Sequence, residues 1–145
     1  MQISAKGEYA IRAVLDLALQ RERGLTTIQE IADRQGIPQR YLEQVLLALK
    51  RAGLLTSKRG STGGYHLTRP APEITVGDVL RAVEGGAAPF AAQRRGGPNG
   101  NAYDLRELWR EISQAVSQVV DHLTFGELAA REAARRSAGR PMYHI

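Results

Sequence analysis

The chain has 145 residues, 43% apolar and 24% charged, with 20 Lys+Arg against 15 Asp+Glu: a globular composition of domain size with a basic balance. Its lack of cysteine excludes disulfides, thiolate metal sites and thiol chemistry, and His66, His122 and His144 lack local metal-ligand spacing, so no metal and no cofactor is expected. No apolar run reaches the roughly 20 residues of a membrane span, and Met1-Gln2-Ile3-Ser4 does not open a secretory signal, so the expectation is a cytoplasmic protein without a membrane partner.

In chain order, residues 6–21 read as a first helix, because Tyr9, Ala10, Ala13, Val14, Leu17 and Ala18 recur on one helical face until Gly24. Thr27-Ile28-Gln29-Glu30 is a capping-box pattern, in which hydroxyl and carboxylate satisfy reciprocal backbone donors. It starts a short helix ending near Arg34. Gln35-Gly36-Ile37-Pro38 makes the turn into a third helix that runs to about Ala52, with Leu42, Val45, Leu46 and Leu49 inward. Gln39, Arg40, Glu43, Gln44 and Arg51 fall on its outer side. Two short helices about a glycine turn form a helix-turn-helix, an arrangement found in many proteins that bind no DNA.

Leu54-Leu55-Thr56-Ser57 and Tyr65-His66-Leu67-Thr68 read as two strands joined by Lys58-Arg59-Gly60-Ser61-Thr62-Gly63-Gly64. Glycines permit the tight turn and the basic residues project from it, as in the wing of a winged helix. The same loop fails the phosphate-loop pattern, since it joins strands and precedes no helix. A short helix over residues 75–84 follows, capped by Thr75 and Asp78. Residues 85–101 are loop-like, rich in Gly, Pro and Asn. A long helix over residues 103–122 presents Leu105, Leu108, Trp109, Ile112, Val116 and Val119, more apolar surface than so short a chain covers, and it reads as the dimerisation surface of a C2 homodimer. A second capping pattern, Thr124-Phe125-Gly126-Glu127, begins a last helix to about Arg136. The fold class is therefore mainly α with a small β-hairpin wing. Residues 1–70 form a winged helix-turn-helix DNA-binding region, 71–102 a linking helix and glycine-rich loop, 103–136 the dimerisation helices and 137–145 a flexible tail.

Charge separates these parts. Residues 1–70 hold 11 basic against 6 acidic side chains, whereas residues 71–145 hold 9 of each. No acid lies between Glu43 and Glu73, while Lys50, Arg51, Lys58, Arg59 and Arg69 accumulate there. A basic module beside a neutral one points to a polyanion partner. A hydrolase is disfavoured, since no nucleophile elbow or paired-carboxylate motif accompanies the Ser, His and Asp residues. An adaptor that uses the winged helix as a scaffold is the competing reading, and the basic excess argues against it.

The opening Met1 to Ala10 segment, Tyr41-Leu42-Glu43-Gln44, Gly53-Leu54-Leu55, Arg59-Gly60-Ser61-Thr62-Gly63-Gly64-Tyr65, Val76-Gly77-Asp78-Val79 and Leu108-Trp109 resemble the Rrf-two family of bacterial winged-helix regulators over about residues 1–136. The resemblance implies a homodimeric transcription factor that binds a palindromic operator in double-stranded DNA. On it, Gln39, Arg40, Tyr41, Glu43 and Gln44 face the major groove, and Lys58, Arg59 and Ser61 on the wing meet the minor groove or phosphate. Tyr41 and Tyr65 suit packing equally well, and Glu43 suits a solvated face. Iron–sulfur members of the family carry three cysteines before the long helix, and some relatives add an acidic ligand where Glu8 stands. Here residues 87–103 hold no cysteine, and one carboxylate does not hold a cluster. The chain is thus similar to the cluster-free branch that represses cysteine metabolism. That branch implies a further partner, cysteine synthase (O-acetylserine thiol-lyase), engaged by the tail residues Tyr143, His144 and Ile145. A frayed terminus fits those residues as well.

Overall fold

The structure is a computed structural model that describes residues 3–84 and 103–139. Among them are six α-helices and one two-stranded antiparallel sheet. The helices are α1 (Ala5–Leu19), α2 (Ile28–Gln35), α3 (Gln39–Arg51), α4 (Val76–Glu84), α5 (Arg106–His122) and α6 (Phe125–Ala138). The strands are β1 (Leu55–Lys58) and β2 (Gly64–Leu67).

Helix α1 is the post around which the others stand. Ser4 caps it by accepting from the Gly7 N–H at 3.1 Å, and the small side chains of Ala10 and Ala13 let α3 and α4 approach closely, with Val14 and Leu17 filling the gaps between them. Helix α2 begins with the capping box read from the sequence: Thr27 Oγ1 accepts from the Glu30 N–H at 3.2 Å and Glu30 Oε1 from the Thr27 N–H at 3.3 Å. Thr27 Oγ1 also donates to Glu30 Oε1 at 3.0 Å, and that bond, followed by the one from the Thr27 N–H, holds the Glu30 carboxyl below its ordinary value. An arginine fork on a buried carboxylate fixes α2 against α1. Asp16, 2% exposed, accepts from Arg34 Nε and Nη2 at 2.9 Å each and from Gln35 Nε2 at 3.3 Å. Gly36 then turns the chain with φ 64°, and α3 packs Leu42, Val45, Leu46 and Leu49 into the core, as the periodicity requires.

The second half is attached by backbone as well as side chains. Thr75 and Asp78 cap α4 reciprocally at 3.0 Å. The Val76 N–H donates to the Leu123 carbonyl at 2.9 Å and the Phe125 N–H to the Ile74 carbonyl at 2.8 Å, so the α5–α6 corner is stitched to the start of α4. Phe125 itself is fully buried in the core and α6 lies along α1. Helix α6 is thereby part of the winged-helix body as well as the follower of α5. Helix α4 crosses α5 at Gly77, where any Cβ would collide with the Asp121 carboxylate, and Arg81 Nη1 donates to Asp121 Oδ1 at 2.8 Å.

Helix α5 begins at Arg106, three residues later than the sequence suggested. Asp104 Oδ1 accepts from the Arg106 N–H at 3.1 Å and grips its guanidinium, which favours a local turn over helix. Leu105 consequently precedes the helix and stands at its N-cap. Among the described residues no helix is long and apolar enough to cross a membrane.

Candidate nucleic-acid interface

Helix α3 presents two faces. Stepping roughly 100° per residue, Arg40, Gln44, Leu47 and Arg51 share roughly 60° of arc, opposite the buried leucines, with Glu43 at their flank. All five are exposed, as are Gln39 and Tyr41 at the start of the helix. Tyr41 is braced as well as exposed. Its ring meets that of Tyr9 edge-on, with centroids 5.2 Å apart and an interplanar angle of 81°, so α1 fixes the direction in which the phenol points. Leu47, 46% exposed, is the residue on this face that the sequence reading did not place. Its offset from the buried stripe, four residues before Arg51 and three after Gln44, was the available signal.

The hairpin pairs Leu55 with Leu67, Thr56 with His66, Ser57 with Tyr65 and Lys58 with Gly64. Its base is anchored by buried Leu55 and Leu67. Thr26 adds a third line of pairing: its N–H donates to the Tyr65 carbonyl at 3.0 Å, and its carbonyl accepts from the Tyr65 N–H at 2.7 Å. The Tyr65 side chain is half-buried and packs against the core. The tip closes through the Gly63 N–H and the Gly60 carbonyl at 3.0 Å, leaving Lys58, Arg59 and Ser61 exposed.

Helix and wing meet in a cleft of about 430 Å³ that takes in Thr27 and Ile28 at the head of α2, Lys50 of α3 and the wing residues Lys58 and Arg59. Lys50 Nζ donates to Ser57 Oγ at 2.7 Å, which ties the end of α3 to β1 and holds the ammonium at the cleft wall. The cleft's lining carries three cations and no carboxylate. Other basic residues are consumed by the fold: Arg12 pairs with Glu8, Arg34 with Asp16, Arg81 with Asp121 and Arg106 with Asp104. Arg40, Lys50, Arg51, Lys58 and Arg59 make no ion pair with a described carboxylate. A concave, basic, acid-free surface with a helix head at one wall suits phosphate oxygens.

A different kind of surface lies on α5. None of its residues is buried: Leu108, Trp109 and Val119 are 45%, 41% and 63% exposed, and Ile112 and Val116 are half-buried. With Leu105 they line one side of the helix, whose lower end packs on the core through Val120 and Leu123. Tyr143, His144 and Ile145 lie outside the described residues, as does the stretch 85–102.

The donor chemistry for iron–sulfur ligation does not fit. The chain has no cysteine, and Glu8 is engaged with Arg12 at 2.8 Å. Among the described residues, no group of three or more His, Asp or Glu is placed to hold a metal ion.

A family profile described as "Rrf2: Iron-dependent Transcriptional regulator" matches residues 3–131. Proteins named "HTH-type transcriptional regulator IscR" from Klebsiella pneumoniae (strain 342) and Enterobacter sp. (strain 638) are each 37% identical over 145 residues, covering 99% of this chain and 89% of theirs. Among solved structures, CymR, "the Global Cysteine Regulator of B. subtilis", superposes with a TM-score of 0.76 at 35% identity, covering 90% of this chain and 98% of that one. T. potens IscR superposes with a TM-score of 0.76 at 30% identity, covering 99% and 94%.

Proposed function

The chain belongs to the Rrf2 family of transcriptional regulators, and on that premise we propose a homodimeric, sequence-specific DNA-binding repressor of cysteine and sulfur metabolism genes that holds no iron–sulfur cluster of its own. The observation that carries DNA recognition is the cleft that joins α3 to the wing, with Lys50, Lys58 and Arg59 facing no acid. Gln39, Arg40, Tyr41, Glu43 and Gln44 enter the major groove, where Gln and Arg offer paired donors to base edges and Glu43 accepts from cytosine. Lys58, Arg59 and Ser61 follow the adjacent backbone or minor groove. A second copy docks along Leu105, Leu108, Trp109, Ile112, Val116 and Val119, and the resulting two-fold axis calls for a palindromic operator.

The cysteine-metabolism assignment is supported by two things: the likeness to the global cysteine regulator and the lack of thiolates that a cluster-bearing regulator needs. Cysteine synthase, docked by Tyr143, His144 and Ile145, is the partner that reports sulfur status within this reading. DNA occupancy across a promoter blocks polymerase, and loss of the partner shifts occupancy by mass action.

Selection of bound fragments from a random duplex library, followed by footprinting, tests the whole. The expected result is a dyad-symmetric footprint whose affinity falls roughly 10³–10⁵-fold from 50 to 200 mM salt, as neutralising about 6–10 phosphates requires. Equal binding to random duplexes overturns it. Stoichiometric iron and sulfide in anaerobically purified protein overturns the cluster-free assignment, and equal binding of cysteine synthase by full-length protein and a variant lacking residues 143–145 overturns the partner.

A further inference from the structure

We propose that Leu47 reads thymine, packing its isobutyl side chain against the C5-methyl group in the major groove and so setting a base preference one helical turn beyond Gln44. The inference rests on the DNA-binding reading above and adds to it a specificity residue of apolar kind.

An isolated exposed leucine is ordinary on a protein surface. Position makes this one different. Leu47 is 46% exposed in the middle of the face formed by Arg40, Gln44 and Arg51, directly opposite Leu49 and Leu42, which are fully buried. It is therefore excluded from the core by geometry. It stands two turns from the head of α3, within the part of a recognition helix that a major groove about 12 Å wide and 8.5 Å deep accommodates. Its polar neighbours on that face are suited to base edges and phosphates. Among the groups a major groove displays, the one apolar group is the thymine methyl. A branched aliphatic side chain in that groove finds its favourable contact there and desolvates polar edges elsewhere. On a helix a leucine takes one of two χ1 rotamers, both directed back over the preceding turn, so the group is held ready. The neighbouring bond from Lys50 Nζ to Ser57 Oγ at 2.7 Å ties the end of α3 to β1.

The test pairs the loss of one methyl on DNA with the loss of the side chain on the protein. The probe is a duplex enriched from a random library by the full-length protein, with its thymines replaced by deoxyuridine one symmetry-related pair at a time. At one pair, the unaltered protein should lose about fourfold per methyl removed, and so about fifteenfold with both half-sites changed, the burial of one carbon setting the scale. Leu47→Ala should bind the thymine and uracil duplexes equally. Leu47→Met, which keeps an apolar side chain of similar reach, should keep the methyl preference and shows that the face remains folded. If every uracil duplex binds as tightly as its parent, or if Leu47→Ala retains the whole loss, the assignment is wrong. A loss of the same factor by Leu47→Ala on the thymine and uracil duplexes keeps the methyl preference intact and overturns it likewise. A library that yields no preferred sequence fails earlier, by removing the DNA-binding reading and this proposal together.

Discussion

Helix α3 seats Leu42, Val45, Leu46 and Leu49 at 0% exposure, whereas α5, with an apolar stripe of the same period, leaves Leu108 at 45%, Trp109 at 41% and Val119 at 63%. Both sequences satisfy the rule for an amphipathic helix. The difference lies in what stands opposite. Four elements close over α3: α1, α2, α4 and β1. Helix α5 is held by α4 and by its junction with α6, so that Val120 and Leu123 reach the core while Ile112 and Val116 are only half-buried. Periodicity states that a face must be buried; only the tertiary arrangement states whether the same chain does the burying.

The largest effect is expected where burial is complete. Leu46→Ala should lower the unfolding free energy by about 2–5 kcal/mol, through lost transfer energy plus a cavity that the surrounding helices cannot close. Denaturant unfolding at fixed protein concentration measures it. Trp109→Ala should behave differently: the fold persists, and the dissociation constant of the proposed dimer rises by about thirtyfold or more, since a truncated aromatic anchor costs roughly 2 kcal/mol or more. Sedimentation equilibrium gives the constant and circular dichroism the helix content. Unchanged self-association would place the second copy on another face, and a collapse of helix content would make α5 a core element after all.

The interface offers the next contrast. Arg59→Ala on the wing should cost about 1–3 kcal/mol of DNA affinity and relax preference at one position if it reads a groove. Lys50→Gln should weaken all duplexes alike and reduce the salt slope by about 1, as one phosphate contact does. Titration of fluorescent duplexes at several salt concentrations separates the two. A sequence-dependent loss for Lys50→Gln would reassign it from backbone to base.

Much of this was legible from residues alone, for local reasons. Thr27 and Glu30, and Thr75 and Asp78, are three apart at helix starts and make the reciprocal bonds that such spacing permits. The wing followed from two short strands and a glycine-rich tip. Tertiary facts were not legible. Nothing local says that Tyr9 braces Tyr41, that Thr26 extends the hairpin or that Phe125, opening the last helix, is a core residue rather than part of an association surface. The late start of α5 is a short-range competition that the period of the stripe conceals, because the Asp104 side chain takes the Arg106 N–H. Leu47 was left unplaced for the opposite reason: it is apolar yet lies off the buried stripe, and only its angle about the helix axis puts it on the outer face.

The smallest expected effect lies where the two compared regions join. Asp78 caps α4, accepting from the Thr75 N–H at 3.0 Å, and also faces Arg69 at the base of the wing and Arg81, which in turn holds Asp121 of α5. Partial burial raises its pKa, but the Thr75 bonds and the two guanidinium groups outweigh this and hold the carboxyl below its ordinary 3.8. A carboxyl whose folded pKa is depressed contributes stability that is fully present above the unfolded pKa. That contribution disappears as pH falls through the lower folded value. Asp78→Asn should therefore cost about 1 kcal/mol near pH 6, the usual magnitude for weakening a helix cap. The gap between variant and parent should narrow below about pH 4, where the carboxyl of the unfolded parent chain takes up its proton while the folded one still resists it. Denaturant unfolding of both proteins from pH 6 to pH 3 reads the difference directly and cancels the titration of carboxylates common to both. A gap that stays constant across the range would mean that the cap acts through its geometry alone, and that the charge of Asp78 does not link the wing to α5.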